Sequence, residues 1–359
     1  MRITIFLTLL LSYVCVCATQ TPLKTFESSM KTPLIIDTDA GWDDWIAISY
    51  LVKNQASSDY KIIGIVSNGV GEAHLNPGFK NIKNIVSLAG NPDIQVYAGS
   101  SKPLKYKNKF PENFRKSIDN LFGIKIPENE ISSEKTDGVT FLKQTLQNST
   151  HKVNILAIGG LTDLARVIKK NPKLVTNIGQ LFIMGGVFDL SSKTKQDPKG
   201  NIKDFPPPSS YPTNNTAEWN IFIDPMAAEI VFKAVKDITI VPLNAAQNLP
   251  LTESFVNSFP AKTPLDRFIS KVLKHNLNRA KLGGYNEYLY DPLSALIAGG
   301  KTSVSKFKKL PMYVEADYTT KDDYSGTTYL KSSGRPVTLA ISANSKIFDD
   351  ELVSVISRN

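Results

Sequence analysis

The strongest constraint in this chain is a short apolar run that ends in a cluster of acids. Leu34–Ile36 is apolar and follows Pro33, as in a buried strand. Apolar residues then recur at helical spacing between Trp45 and Val52. Four carboxylates lie between these two segments, on Asp37, Asp39, Asp43 and Asp44. The pattern therefore predicts a strand-to-helix turn at the carboxyl end of a parallel strand, where open α/β sheets bind ligands.

This acidic turn predicts a cation site. Because like charges raise one another's pKa, four unpaired acids need a positive partner. Oxygen ligands alone favour calcium or magnesium over zinc. An ordinary EF-hand is excluded, because Ile48 stands at position 12 from Asp37, where a bidentate Glu is required. Two other interpretations stay open: a solvated turn in which Asp43 or Asp44 caps the helix, and a phosphatase with an aspartyl nucleophile at Asp37.

The amino terminus predicts a secreted protein. Residues 1–18 have the form of a signal peptide, with Arg2 before the apolar run Ile3–Val16 and small residues near Ala18. The run is short for a membrane span, so we expect no membrane association after cleavage. Both cysteines, Cys15 and Cys17, lie in this segment. The mature chain would therefore be an extracellular protein without disulfides.

Charge argues against a nucleic-acid partner. The formal net charge is +9, but the lysines are dispersed and their local clusters, 102–109 and 301–309, contain no recognisable nucleic-acid module. We expect a soluble surface that attracts anions weakly. Asn148 and Asn214 each begin an N-glycosylation triplet, which has meaning only in a eukaryotic host.

The order of apolar runs predicts the fold class. After a polar lead-in at residues 19–32, strand-like and helix-like segments alternate through residues 33–359 without a break in composition. This predicts a single α/β domain with a mostly parallel, mixed central sheet flanked by helices. Residues 100–137 are rich in Lys, Pro and Asn and predict a surface excursion. Residues 189–216 form a long polar loop, which predicts a functional or disordered segment.

Two later motifs offer further polar groups. Glu218-Trp219-Asn220 precedes the strand-like Ile221–Ile223, and its side chains suit the hydroxyls and apolar face of a sugar. Asp291 precedes Pro292 and, from the local pattern alone, reads as a helix N-cap. The three histidines share no spacing that would predict a zinc site. No Gly-x-Ser-x-Gly motif is present for a serine hydrolase.

Several of these segments together resemble one known family. Asp37–Asp44 resembles the Asp-rich signature of the inosine–uridine preferring nucleoside hydrolases. The resemblance continues, in order, through Gly159–Asp163, Met184–Gly186, Ala217–Ile221 and Asp291–Leu293, and covers residues 34–345. It implies a Rossmann-like sheet with Ca²⁺ at the strand ends. It also implies an enzyme that hydrolyses the N-glycosidic bond of ribonucleosides to free base and ribose.

The resemblance also implies roles for individual residues. The calcium ligands would be the carboxylates of Asp39, Asp44 and Asp291 with the backbone carbonyl of Ile158. Asp39 would also act as the general base on a calcium-bound water that attacks the anomeric carbon. The remaining matches would bind the ribonucleoside substrate: Asp43, Met184, Asn201, Glu218, Asn220 and Asp291. Asn214 is the rival of Asn201 for the loop position that contacts the 5′ hydroxyl.

This chain departs from the family pattern at the leaving-group position. Many members carry a His immediately before the late Asp as proton donor to the base, whereas Tyr290 stands there in this chain. A phenol, with an ordinary pKa of about 10, is a weaker acid, so Tyr290 would stack on the base or hydrogen-bond to it instead. The Asn expected after the second strand could be Asn68, or Gly71 or Glu72 could take its place.

The resemblance does not fix base preference, and it suggests a homodimer or a homotetramer. Two other functions remain open beside it. One is the phosphatase-like enzyme with Asp37 as nucleophile. The other is a catalytically silent, calcium-bound protein that binds ribose or nucleosides.

Overall fold

A nine-stranded mixed sheet runs through the described residues of this computed structural model, which are 31–128, 137–202, 214–317 and 323–358. Its strands, in chain order, are β1 (Thr32–Thr38), β2 (Tyr60–Ser67), β3 (Val96–Ala98), β4 (Val153–Ile158), β5 (Ile178–Met184), β6 (Ile238–Val241), β7 (Ser305–Val314), β8 (Thr328–Leu330) and β9 (Arg335–Ala343). Their order across the sheet is β3-β2-β1-β4-β5-β6-β9-β7-β8. Seven strands from β3 to β9 are parallel, and β7 and β8 complete the sheet in antiparallel pairing.

The order in which strands are added to the sheet reverses beside β1. From β1 the chain adds β2 and β3 on one side, and it then crosses to the other side with β4, β5 and β6. Thr38 at the end of β1 is in register with Ile158 at the end of β4. Such a topological switch point leaves a crevice at the carboxyl ends of the strands, which is where the acidic turn lies.

Helices cover both faces of this sheet. They are α1 (Trp42–Asn54), α2 (Leu75–Leu88), α3 (Glu112–Asp119), α4 (Gly138–Asn148), α5 (Thr162–Lys170), α6 (Trp219–Ile223), α7 (Pro225–Ala234), α8 (Leu243–Ala246), α9 (Glu253–Ser258), α10 (Pro264–Gly283), α11 (Tyr290–Ala298) and α12 (Ser345–Ile356). Leu34 and Ile36 enter the apolar core on one face of the sheet, and Ile35 enters the core on the other. Because β1 is buried on both faces, its apolar run is continuous rather than alternating.

The structure corrects three local predictions. Ile221–Ile223 belongs to helix α6 and not to a strand, because the Glu218 carboxylate accepts hydrogen bonds from the Asn220 and Ile221 amides and caps the helix. Asp291 lies inside the first turn of α11, whose N-cap is Leu289, so it does not cap the helix. The segment predicted to be a surface excursion buries Phe110 and, on α3, Phe114.

The predictions for residues 1–30, which include the signal peptide and most of the polar lead-in, fall outside the described residues. Lys31–Asn359 belong to one compact unit. Within the described ranges, no helix is both long enough and apolar enough to cross a membrane.

Candidate active site

The turn after β1 is tightly built and turns its acids inward. Ala40 has a φ of 60°, a left-handed conformation that costs free energy for a residue with a side chain. Thr38 supports it, because its hydroxyl oxygen accepts a hydrogen bond from the Ala40 amide at 3.0 Å. The Thr38 hydroxyl also donates to Asp44. Asp44 in turn accepts from the Gly41 amide at 2.9 Å, so this acid caps the start of α1 while it faces the crevice.

Three buried acids from two distant parts of the chain meet at this turn. One carboxylate oxygen each of Asp43, Asp44 and Asp291 lies within 4.8 Å of the other two. The Asp291 amide donates to the Asp43 carboxylate at 3.2 Å, which fixes the start of α11 against α1. Asp39 adjoins this trio through a hydrogen bond between its side chain and that of Asp44. None of the four is more than 6% exposed.

Burial raises the pKa of every member of the cluster, and neighbouring carboxylates raise the pKa values of Asp43, Asp44 and Asp291 further. Burial raises the pKa of Asp39 to about 6 and that of Asp43 to about 7. For Asp44 and Asp291, burial raises the pKa well above the ordinary range, and neighbouring carboxylates raise it further. A cation beside these oxygens would remove the repulsion, so the donor set fits a metal ion.

Glu72 adds a further acid to the site. It is one of the three residues that the sequence offers for the position after the second strand. Its amide donates to Asp39 at 3.0 Å, and its Oε2 atom is buried without a hydrogen-bond partner in the described chain. A Cβ atom at Gly41 would lie 2.4 Å from that oxygen and 2.8 Å from Asp44 Oδ2, so both oxygens lie against Gly41. Burial and the charges of the Asp cluster raise the pKa of Glu72. Glu72 is therefore aimed at the cluster.

Asn68 and Gly71 are the other two residues that the sequence offers for the position after the second strand, and neither points at the acidic cluster as Glu72 does. Asn68 donates to Asp37 at 3.0 Å, behind the cluster. Gly71 lies against Asp39, where a Cβ atom would come within 1.7 Å of its carboxylate. Asp37 itself is 1% exposed and does not line the cavity. A nucleophile must reach its substrate, so the phosphatase interpretation is not favoured.

A cavity of about 590 Å³ opens above the acids. All of the site residues predicted from the sequence line it: Asp39, Asp43, Asp44, Ile158, Met184, Asn201, Glu218, Asn220, Tyr290 and Asp291. Their roles remain predictions. The rival Asn214 is buried away from the cavity, where its amide donates to the Ser325 carbonyl at 2.9 Å. Of the two candidate loop residues, only Asn201 can meet a ligand there.

A polar wall of Met184, Asn201, Glu218 and Asn220 lines the cavity beside the acids, and hydrogen bonds with backbone groups hold its side chains. Glu218 accepts from the amides of Gly186 at 3.0 Å, Asn220 at 2.8 Å and Ile221 at 3.2 Å. Burial nevertheless raises the pKa of Glu218 to about 7. The Asn220 side chain donates to the carbonyl and the sulfur of Met184, at 3.3 and 3.2 Å. These contacts lock the side chains of the wall before any ligand arrives.

The remaining lining was not predicted from the sequence. Much of it comes from Phe110 and α3, from the carboxyl-terminal part of α10 and from the segment before α11, and it includes Phe114, Arg279, Tyr285 and Glu287. These residues follow no strand, so the strand-end rule could not find them. The four-residue spacing of Phe110, Phe114 and Ile118 is a helical signal for α3 within the Lys-rich segment.

Comparisons with known proteins identify the family of this chain. The family described as inosine-uridine preferring nucleoside hydrolase matches residues 34–350. The chain belongs to this family. Uridine nucleosidase 1 of Arabidopsis thaliana is 29% identical over 285 residues, which are 79% of this chain and 78% of that protein. The pyrimidine-specific ribonucleoside hydrolase RihA of Salmonella dublin is 28% identical over 245 residues, 68% of this chain and 71% of the relative.

Solved structures agree on the fold. The purine-preferring ribonucleoside hydrolase from Gardnerella vaginalis superimposes with a TM-score of 0.75 at 23% identity, over 91% of this chain and 98% of that one. The predicted family, the α/β fold with its mixed sheet, and the class of enzyme, a hydrolase acting on N-glycosidic bonds, are therefore confirmed. The acids of this family member can hold a metal ion at the switch point.

Proposed function

We propose that this chain is a calcium-dependent ribonucleoside hydrolase, which splits its substrate into free base and ribose. One observation carries the proposal: in a member of this family, a buried acidic cluster and a polar wall line the same cavity. The names of the relatives, a uridine nucleosidase and a pyrimidine-specific ribonucleoside hydrolase, support a nucleoside substrate.

Asp39, Asp44, Asp291 and the carbonyl of Ile158 would hold the ion. The set contains only oxygen ligands, which favours a hard divalent cation over zinc. Burial raises the pKa values of its carboxylates, and neighbouring carboxylates raise those of Asp44 and Asp291 further, so a cation would relieve the repulsion. When bound, calcium supplies the positive charge that keeps these acids ionised and makes a neighbouring water more acidic.

The chain's own groups would perform the remaining chemistry. The Asp39 carboxylate takes the proton of the attacking water, with its Oδ2 held by the Glu72 amide. The oxygens of Asp43, Asn220 and Asp291 bind the 2′ and 3′ hydroxyls of the ribose. As the bond to the base lengthens, the sugar acquires oxocarbenium character, and the surrounding carboxylates stabilise its positive charge.

The polar wall would orient the other end of the sugar. Glu218 and Asn201 contact the 5′ hydroxyl, and Met184 packs on the ribose. The Asn201 side-chain oxygen accepts from the Trp219 amide at 3.1 Å, so its orientation is set by α6. Prior ordering of these groups reduces the entropy lost when the substrate binds.

We also propose that the protein acts outside the cell, on the basis of the signal-peptide pattern of residues 1–18. Asn148 is exposed at the end of α4 and would be the glycosylated position in a eukaryotic host. Asn214 is buried and would stay unmodified after folding. A homodimer or homotetramer remains the proposed assembly.

Base release decides between this enzyme and a silent binding protein. We expect purified protein with calcium to release free base from at least one of inosine, adenosine, uridine and cytidine, measured by chromatography. Asp39→Asn should lower the rate at least roughly 1,000-fold while the far-UV circular dichroism spectrum shows that the fold is kept, because the amide keeps an oxygen but is no base. Binding of a nucleoside without any release would establish the silent protein instead.

A further inference from the structure

The cavity has a region beyond the acids and the polar wall to which the proposed hydrolase gives no role. Its lining comes from α3, α10 and the segment before α11, and includes Phe114, Arg279, Tyr285 and Glu287. Arg279 is the only positively charged side chain among the described residues that line the cavity. The other charged residues that line the cavity are acids, so the presence of one cation needs a chemical explanation.

The Arg279 guanidinium is held in place from two sides. Its Nη2 atom donates to Glu287 at 2.9 Å, and its centre lies 5.2 Å from the centroid of the Phe114 ring. Its Nε atom is buried and has no hydrogen-bond partner in the described chain. The side chain keeps 30% of its surface exposed. The group is therefore fixed by its ion pair and ring contact, yet it still has donors to offer a ligand.

An aromatic roof joins this cation to the polar wall. Trp219, next to Glu218, stacks on Phe110 with ring centroids 4.2 Å apart. Phe110 contacts Phe114 at 5.9 Å, and Phe114 lies under Arg279. A flat heterocycle suits such a roof, because aromatic faces bury its apolar surface. With the ribose at the acids, the base would lie towards Arg279.

Cleavage places charge on that base. Water oxygen bonds to the anomeric carbon and its proton goes to Asp39, while the carbon–nitrogen bond breaks and its electron pair leaves with the base as an anion, which later takes a proton from solvent. A guanidinium does not lose its proton, so it acts by charge and hydrogen bonding rather than as an acid. This suits a chain in which Tyr290 replaces the expected imidazole.

We propose that Arg279 binds the departing base and stabilises its negative charge, positioned by Glu287 and Phe114. The inference rests on the proposed hydrolase function and identifies the group that activates its leaving group. Removing one fixed donor aimed at developing charge typically costs about 100-fold to 1,000-fold in rate. The effect must depend on the leaving group, because a base that leaves easily needs no such help.

The test compares two classes of leaving group on the calcium-loaded, full-length protein. The substrates are inosine and uridine on one side and 4-nitrophenyl β-D-ribofuranoside, whose nitrophenolate leaves unaided, on the other. The variants are Arg279→Met and Arg279→Lys, with Lys281→Met as the control. Lys281 is exposed on the same helix and pairs with Glu253. Melting curves establish that each variant folds.

We expect Arg279→Met to lower kcat/KM for the nucleosides roughly 100-fold and that for the nitrophenyl riboside less than about threefold. Equal losses on both classes, or no loss on either, would overturn the role of Arg279. If the Met variant does not fold, Arg279→Lys decides, because it keeps the charge but not the planar fork. We expect about a tenfold loss on nucleosides only, and equal losses would again overturn the proposal.

The two proposals fail in different ways. Wild-type protein that cleaves neither nucleosides nor the nitrophenyl riboside would refute the hydrolase and, with it, the role of Arg279. If the wild type is active and the Arg279 variants lose the same activity on both substrate classes, only the role of Arg279 is refuted. Lys281→Met should match the wild type on every substrate, and a loss in this control equal to that of Arg279→Met would also count against a specific effect.

Discussion

Replacing Asp43 by Asn should stabilise the metal-free protein and weaken its response to calcium. Burial raises the pKa of Asp43 from 3.8 to about 7. The folded state therefore holds a proton that the unfolded chain has already released, so folding stability falls as the pH rises from about 4 to about 7 and stays low above it. Asn keeps the oxygen that accepts from the Asp291 amide at 3.2 Å but carries no charge.

The size of the effect follows from that pKa. A rise from 3.8 to about 7 corresponds to roughly 4 kcal/mol of lost stability above pH 7. A chain of 359 residues unfolds with an entropy on the order of 0.7 kcal/mol/K. Asp43→Asn should therefore raise the melting temperature of the metal-free protein by up to about 6 °C at pH 8, with a gain that shrinks towards pH 4.

Thermal unfolding followed by circular dichroism at pH 5 and pH 8, in chelator and in excess calcium, measures this change. With calcium the advantage should disappear or reverse, because the bound cation favours the charged Asp43 of the wild type. Asp349→Asn on α12 is the control, since burial also raises the pKa of this acid, to about 6, but it does not line the cavity. Its effect should be the same in chelator and calcium. If the gain in melting temperature of Asp43→Asn does not depend on pH, or is the same with calcium as without it, the reasoning is refuted.

Three further predictions concern single side chains of the cavity. Glu72→Gln should lower calcium affinity roughly tenfold in isothermal titration, because it removes a charge aimed at the cluster; unchanged affinity would exclude Glu72 from the site. Tyr290→Phe should keep kcat/KM for inosine within about threefold, and a loss above roughly 100-fold would make the phenol the proton donor. Asn201→Ala should raise KM for inosine about tenfold but leave that for 5′-deoxyinosine unchanged, and equal effects would separate Asn201 from the 5′ hydroxyl.

The centre of the fold and of the site could be predicted because their signals are local. β1 is buried on both faces, so its apolar run is continuous and unmistakable. The acids that follow it belong to one turn, and that turn lies at a strand end whichever strands pair with β1. Asp44 is both a helix cap and a member of the site. One of its oxygens accepts a hydrogen bond from the Gly41 amide, while the carboxylate lies in the acidic cluster.

The meeting of Asp43 with Asp291 had no local signal. It depends on the packing of α11 against α1 and on the sheet order that places β4 beside β1. The local pattern predicts that Asp291 is a helix cap, and only the resemblance to a family assigns it to the metal. Long-range pairing is decided by tertiary packing, which periodicity within one segment does not encode.

The errors have the same origin. Ile221–Ile223 is too short for its apolar pattern to separate helix from strand, and the deciding contact is the Glu218 cap. The segment with α3 carries many lysines, which hid the apolar row formed by Phe110, Phe114 and Ile118. The sequence does not single out Arg279, because one basic residue on a polar helix is ordinary until its neighbours in space are known.

Calcium titration of base release from chelator-treated protein tests the central claim most directly. We expect no release of base from the best nucleoside without calcium, and a rate that rises in proportion to bound ion and reaches its plateau at one calcium per chain. Full activity in chelator, or protein that binds one calcium and releases no base from any nucleoside, would contradict the claim that this acidic cluster is the metal centre of a ribonucleoside hydrolase.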